Sequence, residues 1–118
     1  MKTEKNMKFT GLDKQQYYLY PHDIYYVKAD NIRSWLICEN LAIHIAYPIL
    51  FMEELLPDYF LRTHRSFLVN QNFITALYHH TLILNNKFRL PVPEKKYQWL
   101  KSYLENAGFS NRHLHADI

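Results

Sequence analysis

The chain has 118 residues, of which 48% are hydrophobic and 16% aromatic, with a formal net charge of +3 and a pI near 8.9. Its length suits one domain around one modest core, and its charge is too small to dictate a polyanionic partner by itself. A single cysteine rules out an internal disulfide, two glycines rule out a phosphate-cradling glycine loop, and no apolar run approaches membrane-spanning length, so a cytoplasmic chain without membrane insertion is expected.

Abundant tyrosine and phenylalanine fit pleated, half-buried surfaces better than helices, so the composition leans towards β structure. Residues 1–7 and 109–118 are expected to be flexible tails around a domain spanning residues 8–106. From Lys8 to Tyr20, short aromatic stretches flank "GLDKQQ" and predict two strands around a turn. Three strands follow in "HDIYYVKADNIRSWLICENLAIHIA". They are Ile24 to Lys28, Ser34 to Cys38, and a third in which Leu41, Ile43 and Ile45 alternate with Ala42, His44 and Ala46. The groups "ADNIR" and "EN" are the turns between them, and Cys38 reads as a small buried hydrophobe.

The period changes in "YPILFMEELLPDY", where Phe51, Met52, Leu55 and Leu56 fall on one helical face, Pro48 suits the first turn and Pro57 ends the element. A short core-packing helix is predicted. Further on, "FITALYHHTLILNNKFRLPV" predicts hairpin strands around Asn85 and Asn86, residues that tolerate a left-handed backbone. In "PEKKYQWLKSYLENAG" a closing helix is predicted from the stripe Tyr97, Leu100 and Leu104, with Glu94 in its first turn and Gly108 as its C-terminal cap. The last ten residues show no firm pattern.

The stretch "FLRTHRSFLVNQNFI" sets Arg62, His64 and Arg65 between apolar runs, and no carboxylate occurs between Asp58 and Glu94. Catalysis finds little support there: His64 and Ser66 lack a neighbouring acid to orient a base. The pairs His79–His80 and His113–His115 lack a Cys or carboxylate at the spacing of a metal motif. In a strand, the adjacent His79 and His80 point to opposite faces. No enzyme activity, metal or cofactor is expected. Nucleic acid suits the stretch better, because arginine grips a phosphate or a guanine edge through two hydrogen bonds while His, Ser and Asn add donors. By periodicity alone, an ordinary exposed strand edge fits it equally well.

Phe60, Arg62, His64, Arg65, Ser66, Val69, Asn70 and Ile74 resemble the F-x-R-x-H-R-S-x-x-V-N-x-x-x-I signature of the LytTR family, DNA-binding domains of bacterial response regulators. The segment "HDIYYVKADNIRSWLI" is similar to the family's D-I-x-Y-I-E-A segment and the loop after it, and "FRLPVPEKKYQWLKSYL" to its last strand and closing helix. The resemblance implies a mainly β fold, an elongated antiparallel sheet with one short internal helix and a C-terminal helix. It also implies a transcription regulator of two-component type that inserts loops into successive major grooves of double-stranded DNA. Members commonly bind direct repeats as a pair, so a homodimer on DNA is implied.

Carried over residue by residue, the contacts are Asn31, Arg33 and Ser34 after the third strand, and His64, Arg65 and Ser66 in the signature. The start of the last helix forms a third region. There the family's Ser-Arg is replaced by Pro93 and Glu94, so Lys95 and Lys96 would have to supply the phosphate contact. Lys28 stands where the family often has an acid. Arg62 reads either as a phosphate contact or as a buttress of the loop, Val69 as core, and Asn70 as a residue that satisfies backbone groups in a turn. Too few residues precede the first matching segment for the phosphoacceptor domain such regulators carry. The expectation is therefore a stand-alone regulator, with a separate regulatory protein, or an excised domain. The alternative is a LytTR-like protein-protein interaction module that has lost DNA binding, which Glu94 favours.

Overall fold

A computed structural model describes residues 4–109. They form two compact units, the first ending at Asn72 and the second beginning at Phe73. The proposed tail histidines His113 and His115 lie outside the described residues, as do the rest of 110–118 and residues 1–3.

The first unit opens with a hairpin of β1 (Met7–Thr10) and β2 (Gln16–Leu19). Next come β3 (Ile24–Asp30), β4 (Arg33–Cys38), β5 (Ala42–Ile45), α1 (Ile49–Leu55), β6 (Phe60–His64) and β7 (Phe67–Asn70). Five of these strands make one antiparallel sheet in the order β5-β4-β3-β7-β6. Strand alternation decides which side chains go inside. In β4, Ser34, Leu36 and Cys38 are buried while Arg33, Trp35 and Ile37 face the other way. Val27, Leu36, Ile43, Ile45 and Leu68 meet Phe9 of the hairpin and Met52 of α1 in one cluster.

In the second unit, β8 (Ile74–Tyr78), β9 (Thr81–Leu84) and β10 (Phe88–Pro91) form a three-stranded antiparallel sheet followed by α2 (Glu94–Asn106). Asn85 and Asn86 take the left-handed backbone expected of them. The predicted stripe of α2 is buried at Tyr97, Leu100 and Leu104. Gly108, at φ 102°, reverses the chain so that its N–H reaches the Glu105 carbonyl and the Phe109 N–H reaches that of Leu104. That is a Schellman ending, and it satisfies two carbonyls the helix would otherwise leave open.

Two expectations change. Phe51 and Leu55 are exposed, whereas α1 buries Ile49 and Met52 and is followed by buried Leu56, so the helix presents a different face from the predicted one. His79 and His80 are not strand residues, since both have positive φ and make the tight turn between β8 and β9. The N-terminal segment is held from Glu4 onward: its carboxylate accepts the His22 N–H and the Tyr59 hydroxyl and contacts the His22 ring. Burial opposes ionisation of Glu4, but the hydrogen bonds from Tyr59 and His22 outweigh it and lower its pKa. Cys38 is buried as expected. Burial, with the Asp23 charge adding to it, pushes the thiol up to about 11, so it stays protonated and unreactive at neutral pH.

Asn70, fully buried at the end of β7, ties the sheet to the chain that leaves it. Its side-chain amide donates to the Ile24 carbonyl at 3.0 Å, where a bulge interrupts the β3–β4 ladder, and its oxygen accepts the Asn72 N–H at 2.9 Å. Replacing Asn70 by Ala leaves a buried acceptor and a donor without partners. We expect Asn70→Ala to lower stability by about 1–3 kcal/mol in urea unfolding monitored by circular dichroism.

Candidate nucleic-acid interface

Sheet register brings the two sequence-predicted loops of the first unit to one end. β3 runs antiparallel to both β4 and β7, and the Ala29 N–H donates to the Ser66 carbonyl at 2.8 Å. The turn Asn31–Ile32, closed by the pair Asp30 and Arg33, therefore lies beside the turn Arg65–Ser66. With strands about 4.8 Å apart, the centres of these adjacent hairpin turns are separated by roughly 10 Å. Asn31 has φ 59° and supplies the backbone reversal, a conformation asparagine tolerates better than most residues.

Arg62 anchors the second turn. Its Nε donates to the His64 carbonyl at 3.0 Å, its Nη2 to the Arg65 carbonyl at 2.6 Å, and its Nη1 to Glu53 Oε1 of α1 at 2.8 Å. Two of its N–H groups hold the turn's own backbone and a third holds α1, the arrangement of a buttress. A register shift between Arg62 and His64 leaves Thr63 buried and skipped in the ladder, a bulge that re-aims the residues after it. His64 is half-buried beside Phe67, with ring centroids 5.1 Å apart, and its Nδ1 accepts the Ser66 N–H at 2.9 Å. That bond requires Nδ1 to carry no proton. Burial, then the charges of Arg65 and Arg62, lowers the pKa of the ring and favours the same neutral form.

The charges at this end are sorted between paired and outward-facing groups. Asp30 is held by His44 Nε2 at 2.9 Å, and that imidazole stacks on Trp35 with centroids 4.1 Å apart. Glu53 is taken up by Arg62. Lys28, Arg33 and Arg65 are exposed and have no ion pair among the described residues. The nearby carboxylates are thus engaged while the outward cations are not.

Not every predicted contact residue faces outward. Ser34 is fully buried, and its hydroxyl donates to the Tyr47 carbonyl at 2.7 Å, so it fixes the chain after β5 instead of presenting a donor. Ser66 is half-buried and lends its backbone to both neighbouring bonds. Lys95 and Lys96 belong to the second unit. Lys95 is exposed, and the Lys96 ammonium lies 5.1 Å from the centre of the Trp99 ring. Glu94, the departure from the family pattern, is joined to His80 Nε2 at 2.8 Å, and the His80 ring lies against Tyr97. Two surface residues lie outside the predicted contacts. Lys28 adds an exposed cation beside the first turn, and Ile32, at 74% exposure, is an apolar side chain within it.

Residues 14–105 match the family model described as the LytTr DNA-binding domain. Among solved structures, the LytTr DNA-binding domain of a Bacillus cereus protein described as a methyl-accepting/DNA response regulator is similar, with a TM-score of 0.72 and 29% identity. The alignment covers 91% of this chain and 100% of that one. No curated protein matches the chain significantly. The family match over most of the chain, on a mostly antiparallel β fold, makes this a DNA-binding domain. The chain belongs to the LytTR family, a family of DNA-binding domains and not of enzymes. No helix among the described residues is long and apolar enough to cross a membrane.

Two outcomes follow from the turn. Lysine has one compact ammonium and cannot reach both carbonyls and Glu53 together. Arg62→Lys should therefore speed amide hydrogen exchange at Ser66 by about tenfold, the factor that one lost hydrogen bond to a charged group corresponds to. The neutral His64 ring is the form the fold prefers. Its contribution to stability is full above the ordinary histidine value of 6.5 and is lost as pH falls through the lower folded value. A ring-proton NMR titration should place the His64 midpoint below 6.5, with the Ser66 amide resonance shifting in the same step.

Proposed function

We propose that the chain is a sequence-specific regulator of transcription that reads double-stranded DNA with the paired turns at one end of its five-stranded sheet. The observation that carries this reading is the side-by-side placement of Asn31, Arg33 and Arg65 on two turns whose neighbouring carboxylates are already engaged. A span of roughly 10 Å fits within a major groove about 12 Å wide. Arg65 is the base reader, Arg33 and Lys28 neutralise phosphate, and Asn31, His64 and Ser66 add donors or apolar contact. Arg62 and Ser34 hold the turns without touching DNA. Lys95 and Lys96 of the second unit supply further phosphate contact, with Glu94 drawn towards His80. We take the domain as residues 8–106, acting in successive major grooves on direct repeats that seat two copies, under a signal delivered by a separate regulatory protein.

A second reading rests on a different surface. Tyr47, Leu50, Phe51 and Leu55 are exposed on and beside α1, with Leu50 at 66%, and an apolar surface of this kind suits an interaction module that contacts another protein. Selection of sites from random duplex DNA separates the two readings. Spaced direct repeats are expected, and an empty selection would favour the module. On a selected duplex, affinity should fall with rising salt, and Arg65→Ala should cost on the order of 1–3 kcal/mol and relax preference at one base position. Unchanged affinity and preference in Arg65→Ala would remove that residue from base reading.

A further inference from the structure

We infer that Ile32 reads a thymine methyl group in the bound site, an assignment that rests on the DNA-binding reading above. Ile32 is 74% exposed, the most exposed large hydrophobic side chain among the described residues. It occupies the second central position of the two-residue turn between β3 and β4, next to Asn31, whose positive φ makes the reversal. Such a position is ordinarily given to Gly, Asn or Ser, and a β-branched apolar residue there gains nothing from turn chemistry. Nothing packs over it in the free protein, so its apolar surface is removed from water only in a complex.

What surrounds Ile32 decides which kind of complex. Its chain neighbours are Asn31 and exposed Arg33, and the adjacent hairpin turn carries Arg65. A protein groove that accepted Ile32 would have to desolvate those cations at the same time, whereas the apolar residues that cluster as a protein-docking surface would, Leu50, Phe51 and Tyr47, sit together at α1. The major groove of DNA offers what the turn needs: phosphates on its rims for the cations and, on its floor, one apolar group, the thymine C5-methyl. The turn then combines polar and apolar readout, with Arg33 and Asn31 setting depth and Ile32 testing for the methyl.

The experiment replaces each thymine of a selected duplex, one at a time, by deoxyuridine, which removes the methyl and leaves the hydrogen-bonding edge intact. Binding of the full chain and of Ile32→Ala is measured at fixed salt. At one thymine of each repeat, the substitution should weaken the full chain about fourfold, the change that burial of one methyl-sized apolar group corresponds to. Ile32→Ala should weaken binding to the unmodified duplex by a similar factor and show no further loss on deoxyuridine. A duplex in which no thymine responds, or a response that persists in Ile32→Ala, overturns the assignment while DNA binding stands. Failure to select any duplex overturns the DNA-binding reading and this assignment with it.

Discussion

The Arg62 guanidinium is the interaction on which the signature turn depends. A two-residue turn at the end of a sheet presents carbonyl groups that the strand ladder does not reach, and those groups need donors. Arg62 supplies two from one planar fork, to His64 and Arg65, and a third N–H goes to Glu53. The ion pair with Glu53 contributes little by itself, since both side chains are partly exposed. Its effect is geometric. It fixes the plane of the guanidinium, which in turn fixes the two carbonyls, so that the Arg65 side chain leaves a backbone that is already ordered. The His64 ring closes the same turn from the other side by accepting the Ser66 N–H.

Much of the fold was legible because alternation and end signals act locally. The strands of the first half, the left-handed Asn85–Asn86 turn and the Gly108 ending all follow from residue type and spacing. The inward placement of Ser34 was also legible: it shares parity with Leu36 and Cys38, so a strand that buries those two buries the serine as well. Transferring a contact role from the family motif overrode that signal. The exposure of Phe51 and Leu55 was not legible, because a seven-residue helix with apolar groups around much of its circumference does not specify which of them faces the sheet. The partnership of Arg62 with Glu53 depends on how α1 lies over the sheet, which no short-range pattern encodes. The His79–His80 turn carries no glycine or asparagine to announce it.

The departure at Glu94 has a structural counterpart in the turn before it. His79 and His80 both adopt positive φ, and this reversal puts the His80 ring against Tyr97 and its Nε2 on Glu94. The carboxylate at the start of α2 also sits well with the exposed N–H groups of the first helical turn. Glu94, the residue that departs from the family pattern, therefore has two favourable partners within its own unit, neither dependent on DNA.

Within the seven residues from Phe60 to Ser66, the side chains that hold the turn and those that face outward are separate. Phe60, Arg62 and Thr63 are committed to core or backbone, and the Arg65 side chain is exposed and makes no ion pair among the described residues. The same division recurs one hairpin away, where Ser34 is buried and Ile32 and Arg33 are exposed. On the proposed reading, recognition can then drift without any cost to folding. Substitutions at 32, 33 and 65 would rewrite the address while the scaffold that displays it stays intact. A library confined to those three positions, with proline left out, is a small one whose members keep the core and the Arg62 bonds.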